Sequence, residues 1–149
     1  MSDSNSLCNR LDVLWRDDFP LTRAMGIKPV SYTNQRLTTQ TPLAGNTNTH
    51  GTAFAGSLYA IEALTAWGLL YLALWEREID ASIIHAKGNI DFASPVKEDI
   101  VAMTSLRGHE SLFKTLGETG KARLTLTTEI VAAGKTACQF SGLYLIRLN

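Results

Sequence analysis

The sequence has few residues that cross-link chains or hold metals. Its two cysteines, Cys8 and Cys138, form no CxxC pair, and its three histidines, His50, His85 and His109, are scattered. No metal site is expected from that spacing. Free thiols in a reducing cytoplasm are the expected state of both cysteines. An excess of charge of either sign is also missing, because 14 basic and 14 acidic residues give a net charge of zero. That balance gives no electrostatic reason to bind nucleic acid or an anionic membrane surface. It also offers no repulsion against self-association, so an oligomer is allowed. The polar stretch Met1–Ser6 lacks a basic segment followed by an apolar core, so no secretory signal is expected, and the expected location is cytoplasmic. Internal repeats, linkers and low-complexity tracts are absent. The expectation is one domain over residues 1–149, with residues 1–19 as an N-terminal helix and tail.

What the chain does have is apolar residues: 45% are hydrophobic and 19% charged. That is enough for one core without disulfide or metal staples. The longest apolar run, Phe54–Trp75, carries a single charge, Glu62. Its length would cross a bilayer. A carboxylate inside it would cost on the order of 3 kcal/mol there. No Lys/Arg cluster flanks it, and the rest of the chain reads as strands whose apolar faces need cover. A helix apolar all round is then expected at the centre of a protein core, with no membrane insertion.

Residues 6–18 read as an amphipathic helix, with Leu7, Leu11, Leu14 and Trp15 on one face and Pro20 ending it. Residues 26–32 and 36–41 read as two strands or one bent strand, with Pro29 marking an edge or a bulge. A polar loop over 42–54 leads into the apolar helix, expected over about 55–78. Strands follow over 82–92 and 99–107, then a helical or irregular stretch over 109–120, then strands over 123–131 and 136–148. Simple alternation in the first of these puts Ile84, Ala86, Gly88, Ile90 and Phe92 on one face, and His85, Lys87, Asn89 and Asp91 on the other. The order predicts an α+β fold whose antiparallel sheet curls around the central helix.

The informative stretch is Asn46-Thr-Asn48-Thr-His50-Gly51-Thr52-Ala53-Phe54-Ala55-Gly56-Ser57-Leu58, a polar loop running into the first turn of that helix. The first N–H groups of a helix lack internal partners and carry partial positive charge. Small residues there let a carbonyl approach, so the N–H groups can stabilise a developing oxyanion.

This stretch resembles the mouth of the central helix in hotdog-fold thioesterases, many of which carry Asn/His-x-x-Gly-x-x-His-Gly-Gly. Asn48, Gly51 and Gly56 fall on the pattern, while Phe54 and Ala55 replace its His and first Gly. It is more similar to the YiiD-type thioesterase domain, through Asn46-x-Asn48-x-x-Gly51-Thr52-x-Phe54-x-Gly56-Ser57-Leu58 and Trp67. Asp91-Phe92-x-x-Pro95-Val96, Gly120–Leu124 and Gly142-x-Tyr144 are similar too. The resemblance covers about residues 20–147. It implies a hotdog fold, a homodimer or dimer of dimers with its pocket between subunits, and hydrolysis of an acyl-CoA or acyl-carrier-protein thioester without a cofactor. Asn48, Gly56, Ser57 and Glu62 are then the catalytic candidates, and Asn46, His50, Gly51, Thr52 and Phe54 the candidates for substrate binding. The two asparagines equally suit loop and N-cap chemistry.

One departure stands out. Many of these thioesterases place a carboxylate seven residues after the motif's last Gly, and here that position is Ala63. Glu62 is next to it, but one residue along a helix is a turn of about 100°. Two other functions therefore stay open. One is an acyl-thioester binding domain without catalysis. The other is a hydroxyacyl-thioester dehydratase using His50 with Glu62.

Overall fold

The computed structural model describes residues 3–149; Met1 and Ser2, part of the polar N-terminal stretch, lie outside them. Helix α1 spans Ser4–Asp18, longer at its start than periodicity implied, because the Asp3 side chain accepts from the N–H groups of Asn5 and Ser6. A short helix, α2 (Leu21–Met25), follows Pro20 and ends on Gly26. Strands β1 (Lys28–Thr33) and β2 (Arg36–Thr41) form a hairpin. Both residues of its tight turn, Asn34 and Gln35, have positive φ, as a two-residue turn matched to strand twist requires. Pro29 marks both an edge and a bulge, since β1 lies at the sheet's edge and its register slips between Pro29 and Ser31.

The central helix α3 runs from Ala55 to Glu76. It stops two residues short of the expected end, where the chain turns and Glu78 takes a left-handed conformation. Then come β3 (Ala81–Phe92), β4 (Ile100–Ser105), α4 (Ser111–Thr119), β5 (Lys121–Ala132) and β6 (Lys135–Leu148). All six strands form one antiparallel sheet in the order β1-β2-β4-β5-β6-β3.

The sheet holds α3 against its inner face. Leu58, Ile61, Leu69, Leu70 and Leu72 are buried there with Leu126, Ile130 and Phe140. β5 and β6 alternate in burial: Leu124, Leu126, Thr128 and Ile130 are buried, as are Cys138, Phe140, Tyr144 and Ile146, while Leu148 at the end of β6 is exposed. α3 is long and apolar enough to cross a membrane, yet most of its apolar window is buried inside the domain. A second layer closes over α3 at Gly68, where an added Cβ would stand 2.8 Å from both Leu11 and Trp15 of α1.

Strand β3 departs from simple alternation. Ile84 pairs with Leu145 and His85 with Tyr144, but Lys87 is the residue opposite Leu143, so Ala86 is an extra residue that forms a bulge. Gly88 and Ile90 face inward as expected. Before the bulge the faces are exchanged: Ile83 and His85 turn toward the helix, while Ile84 is 52% exposed. A bulge of this kind shifts the side-chain phase by one, so a count by twos along the sequence misses it.

Candidate active site

The loop before α3 is built by its two asparagines. Asn46 is buried, and its side-chain amide donates to the carbonyls of Met25 and Pro42 at 2.8 and 2.9 Å. Its own carbonyl accepts from the Phe54 N–H. Asn46 thus ties the loop to α2 and to the end of β2. Its side chain is turned into the fold and engaged with the Met25 and Pro42 carbonyls. Asn48 is equally engaged. Its amide group donates to the Thr52 hydroxyl at 2.8 Å and the Ala53 carbonyl, and its oxygen accepts from the N–H groups of His50 and Thr52. Gly51 has a φ of 75°, which completes the turn at little steric cost. This is asparagine acting as a loop organiser.

The loop delivers a bare helix end. Phe54 caps α3 without a side-chain hydrogen bond, and the first helical bond is made by the Leu58 N–H. The N–H groups of Ala55, Gly56 and Ser57 therefore have no acceptor among the described residues. Ala55 and Gly56 are exposed and Ser57 half-buried. The Phe54 ring lies over Gly56, where any Cβ would collide with it. Phe54 remains 53% exposed, leaving an apolar surface beside three free donors. Such an end can receive a carbonyl or another oxygen acceptor. His50, Gly51 and Thr52 line the adjoining turn, with His50 exposed.

Glu62 lies elsewhere. It is wholly buried, and neither carboxyl oxygen has a hydrogen-bond partner among the described residues. Burial pushes its carboxyl up to about 8, aided by the charge of Glu129 and opposed by the Phe140 backbone N–H. Burial, together with the nearby Glu62, pushes the Cys138 thiol up to about 11. Glu62 thus faces β5 and β6, while Ala63, half-buried, lies about 100° round the helix from it. His50 in the exposed loop and Glu62 in the core are not brought together.

An aromatic notch beside the helix start was missed by periodicity. The His85 ring is parallel to Tyr144 at 4.8 Å and to Tyr59 at 6.2 Å, and meets Phe140 edge-on at 5.5 Å. Tyr59 lies two residues beyond Ser57 on α3, and the Tyr144 hydroxyl donates to the Ala63 carbonyl at 2.9 Å. The signal in the sequence was the unbroken run Ile83-Ile84 before His85, which no single alternating phase can bury. Away from this end, a half-buried stripe of Ala60, Leu64, Trp67 and Tyr71 runs along α3. It leads to a groove of about 590 Å³ lined by Tyr71, Trp75, Ile79 and Ile83.

With this geometry in hand, the relatives are informative. A family profile described as "Putative thioesterase (yiiD_Cterm)" matches residues 8–148. Among solved structures, the chain is similar to a putative thioesterase from Shewanella oneidensis, at 32% identity and a TM-score of 0.90, over 97% of this chain and 99% of that one. It is similar at 28% identity and a TM-score of 0.92 to a Chlorobaculum tepidum protein of unknown function, over 99% and 98% of the two chains. The PaaI protein of the E. coli phenylacetic acid degradation operon shares the fold, at 18% identity and a TM-score of 0.72, over 99% and 97%. The sheet wrapped around α3 is the hotdog fold, and the chain belongs to the putative thioesterase family of the yiiD_Cterm type.

Proposed function

We propose that this protein hydrolyses an acyl thioester of coenzyme A or acyl carrier protein, as a cytoplasmic homodimer that needs no cofactor. The observation that carries the proposal is the uncapped start of α3. Three backbone N–H groups, at Ala55, Gly56 and Ser57, stand free beside an exposed aromatic ring. The thioester carbonyl would lie against the Gly56 and Ser57 donors, which would strengthen their hold as negative charge develops on oxygen. Asn48 serves by holding the turn in place, since its side chain is committed to the loop. The acyl chain would follow the apolar stripe from Ala60 toward Tyr71. Glu62 contributes to the core from which the helix start projects, not as a carboxylate in contact with water.

A second copy would complete the pocket. Strand β3 is a twelve-residue edge with an exposed Ile84 and a 49% exposed Phe92, and long apolar edges invite pairing with another chain. The free, separately buried cysteines agree with a reducing compartment.

The test is thiol release from a panel of short, medium and long acyl-CoA and acyl-carrier-protein thioesters. Turnover is expected for at least one acyl length. Ser57→Pro, which deletes an N–H that no helical carbonyl accepts, should lower kcat about 10²–10³-fold. Tight binding of the panel with no thiol release would instead favour the binding-domain reading, for which Ala63 in the carboxylate position is the specific observation. Hydration of an enoyl thioester without hydrolysis would favour the dehydratase.

A further inference from the structure

We propose that His85 is the proton acceptor for the attacking water, a role that rests on the thioesterase reading above. No carboxylate is available for it near the start of α3: Ala63 carries none, Glu62 is sealed against the sheet without access to solvent, and Glu76 stands at the helix's far end. His85 reaches this end of the helix from the opposite direction, from the edge strand. The extra residue Ala86 turns its side chain inward, and His85 is half-buried, so solvent still reaches it. Bulges are frequent where a strand re-aims a side chain beside a reacting centre.

The notch fixes the ring in position and in tautomer. Parallel stacking on Tyr144 and Tyr59, with Phe140 edge-on, leaves the imidazole little freedom to tilt. Its Nε2 is 3.0 Å from the Lys87 carbonyl oxygen. A carbonyl only accepts, so Nε2 carries the hydrogen and Nδ1 keeps its lone pair. This is how a backbone acceptor sets which imidazole nitrogen is free to take a proton. Gly88 makes room for the arrangement. A Cβ there would collide with the Tyr59 hydroxyl and the Phe140 ring, and His85 Nε2 stands 3.1 Å from the same point. Tyr59 links the notch to the donors, because Gly56 and Tyr59 lie three residues apart on one helix face. Ala63, four residues beyond Tyr59, is on that face too, and its carbonyl is held by the Tyr144 hydroxyl.

The chemistry balances with water and thioester alone. The water oxygen bonds to the carbonyl carbon as its proton passes to Nδ1, and the oxyanion formed is met by the Gly56 and Ser57 N–H groups. When the oxyanion collapses, the C–S bond breaks with its electron pair on sulfur. The thiolate takes the proton from the imidazolium, leaving a carboxylic acid, a free thiol and neutral His85.

The experiment compares wild type, His85→Gln and His85→Phe on the best acyl-CoA substrate, with thiol release as the assay and thermal melting as the check on folding. His85→Phe keeps a ring in the stack, so it covers the case in which His85→Gln fails to fold. Expected are a kcat at least 10²-fold lower in each folded variant, with KM within a few-fold of wild type. His85→Ala should regain part of the lost kcat in added imidazole. A folded variant that keeps kcat within threefold of wild type overturns the role of His85 while leaving the thioesterase reading intact. Wild-type protein that releases no thiol from any acyl thioester overturns that reading, and this role with it.

Discussion

Glu62 holds a carboxyl in the core with neither oxygen hydrogen-bonded among the described residues, and that has a consequence for stability. Its folded-state value, raised from 4.5 to about 8, means that folding favours the protonated form. Stability from this group is fully present below the unfolded value near 4.5 and is lost as pH rises toward 8. Each unit corresponds to about 1.4 kcal/mol, so the loss amounts to a few kcal/mol. Glu62→Gln cannot ionise. Urea melts at pH 5 and pH 8 should show wild type losing more stability between the two than the variant does, and equal losses would contradict this account. The fate of the two asparagines is decided at the same scale. Asn46→Ala leaves the Met25 and Pro42 carbonyls without a donor in a buried corner and should destabilise by about 1–3 kcal/mol. The sequence marked both asparagines as important. Whether an amide faces a substrate or its own loop depends on which carbonyls the folded chain brings within reach, and motif spacing does not show that.

Among the elements, α1 was legible from Leu7, Leu11 and Trp15, but what it covers was not. Leu11 and Trp15 of α1 and Leu37 of β2 all pack on Gly68 of α3, and the Arg10 guanidinium lies 3.5 Å over the Trp75 ring. α1 is thus part of the core. Leu11→Ala should cost about 2–5 kcal/mol, the range for a fully buried leucine, and read out as a lower Tm with α1 loosened from α3. A Tm within a degree or two of wild type would show that α1 is dispensable to the core. Strand β3 gives the opposite lesson. Its existence and length were clear from composition, while the facing of its first half was not, since a bulge is defined by register against β6.

For the whole molecule, the free edge at β3 carries the oligomer prediction. Light scattering at micromolar concentration should give a dimer mass. Ile84→Lys, placing a charge on that edge, should shift the mass toward monomer and lower turnover with it. A monomer mass for wild type across that range would contradict the shared pocket. The zero net charge of the chain adds no repulsion against this pairing. The direction of the half-buried stripe on α3, from Ala60 to Tyr71, suits a second copy closing the groove from outside.

Local physics determined the order of the longer elements (though not the short helix α2), the central burial of the 22-residue helix and the polar loop at its start, because hydrophobic period, turn chemistry and helix-end donors are properties of neighbours in the chain. The strand order, with β2 beside β4 and β3 beside β6, was decided only in three dimensions. So were the inward turn of His85, the commitment of Asn46 and Asn48 to the loop, and the sealing of Glu62 against β6. In each case the deciding partner lies far away in sequence, and a side chain's role follows from the donors, acceptors and register that folding places opposite it.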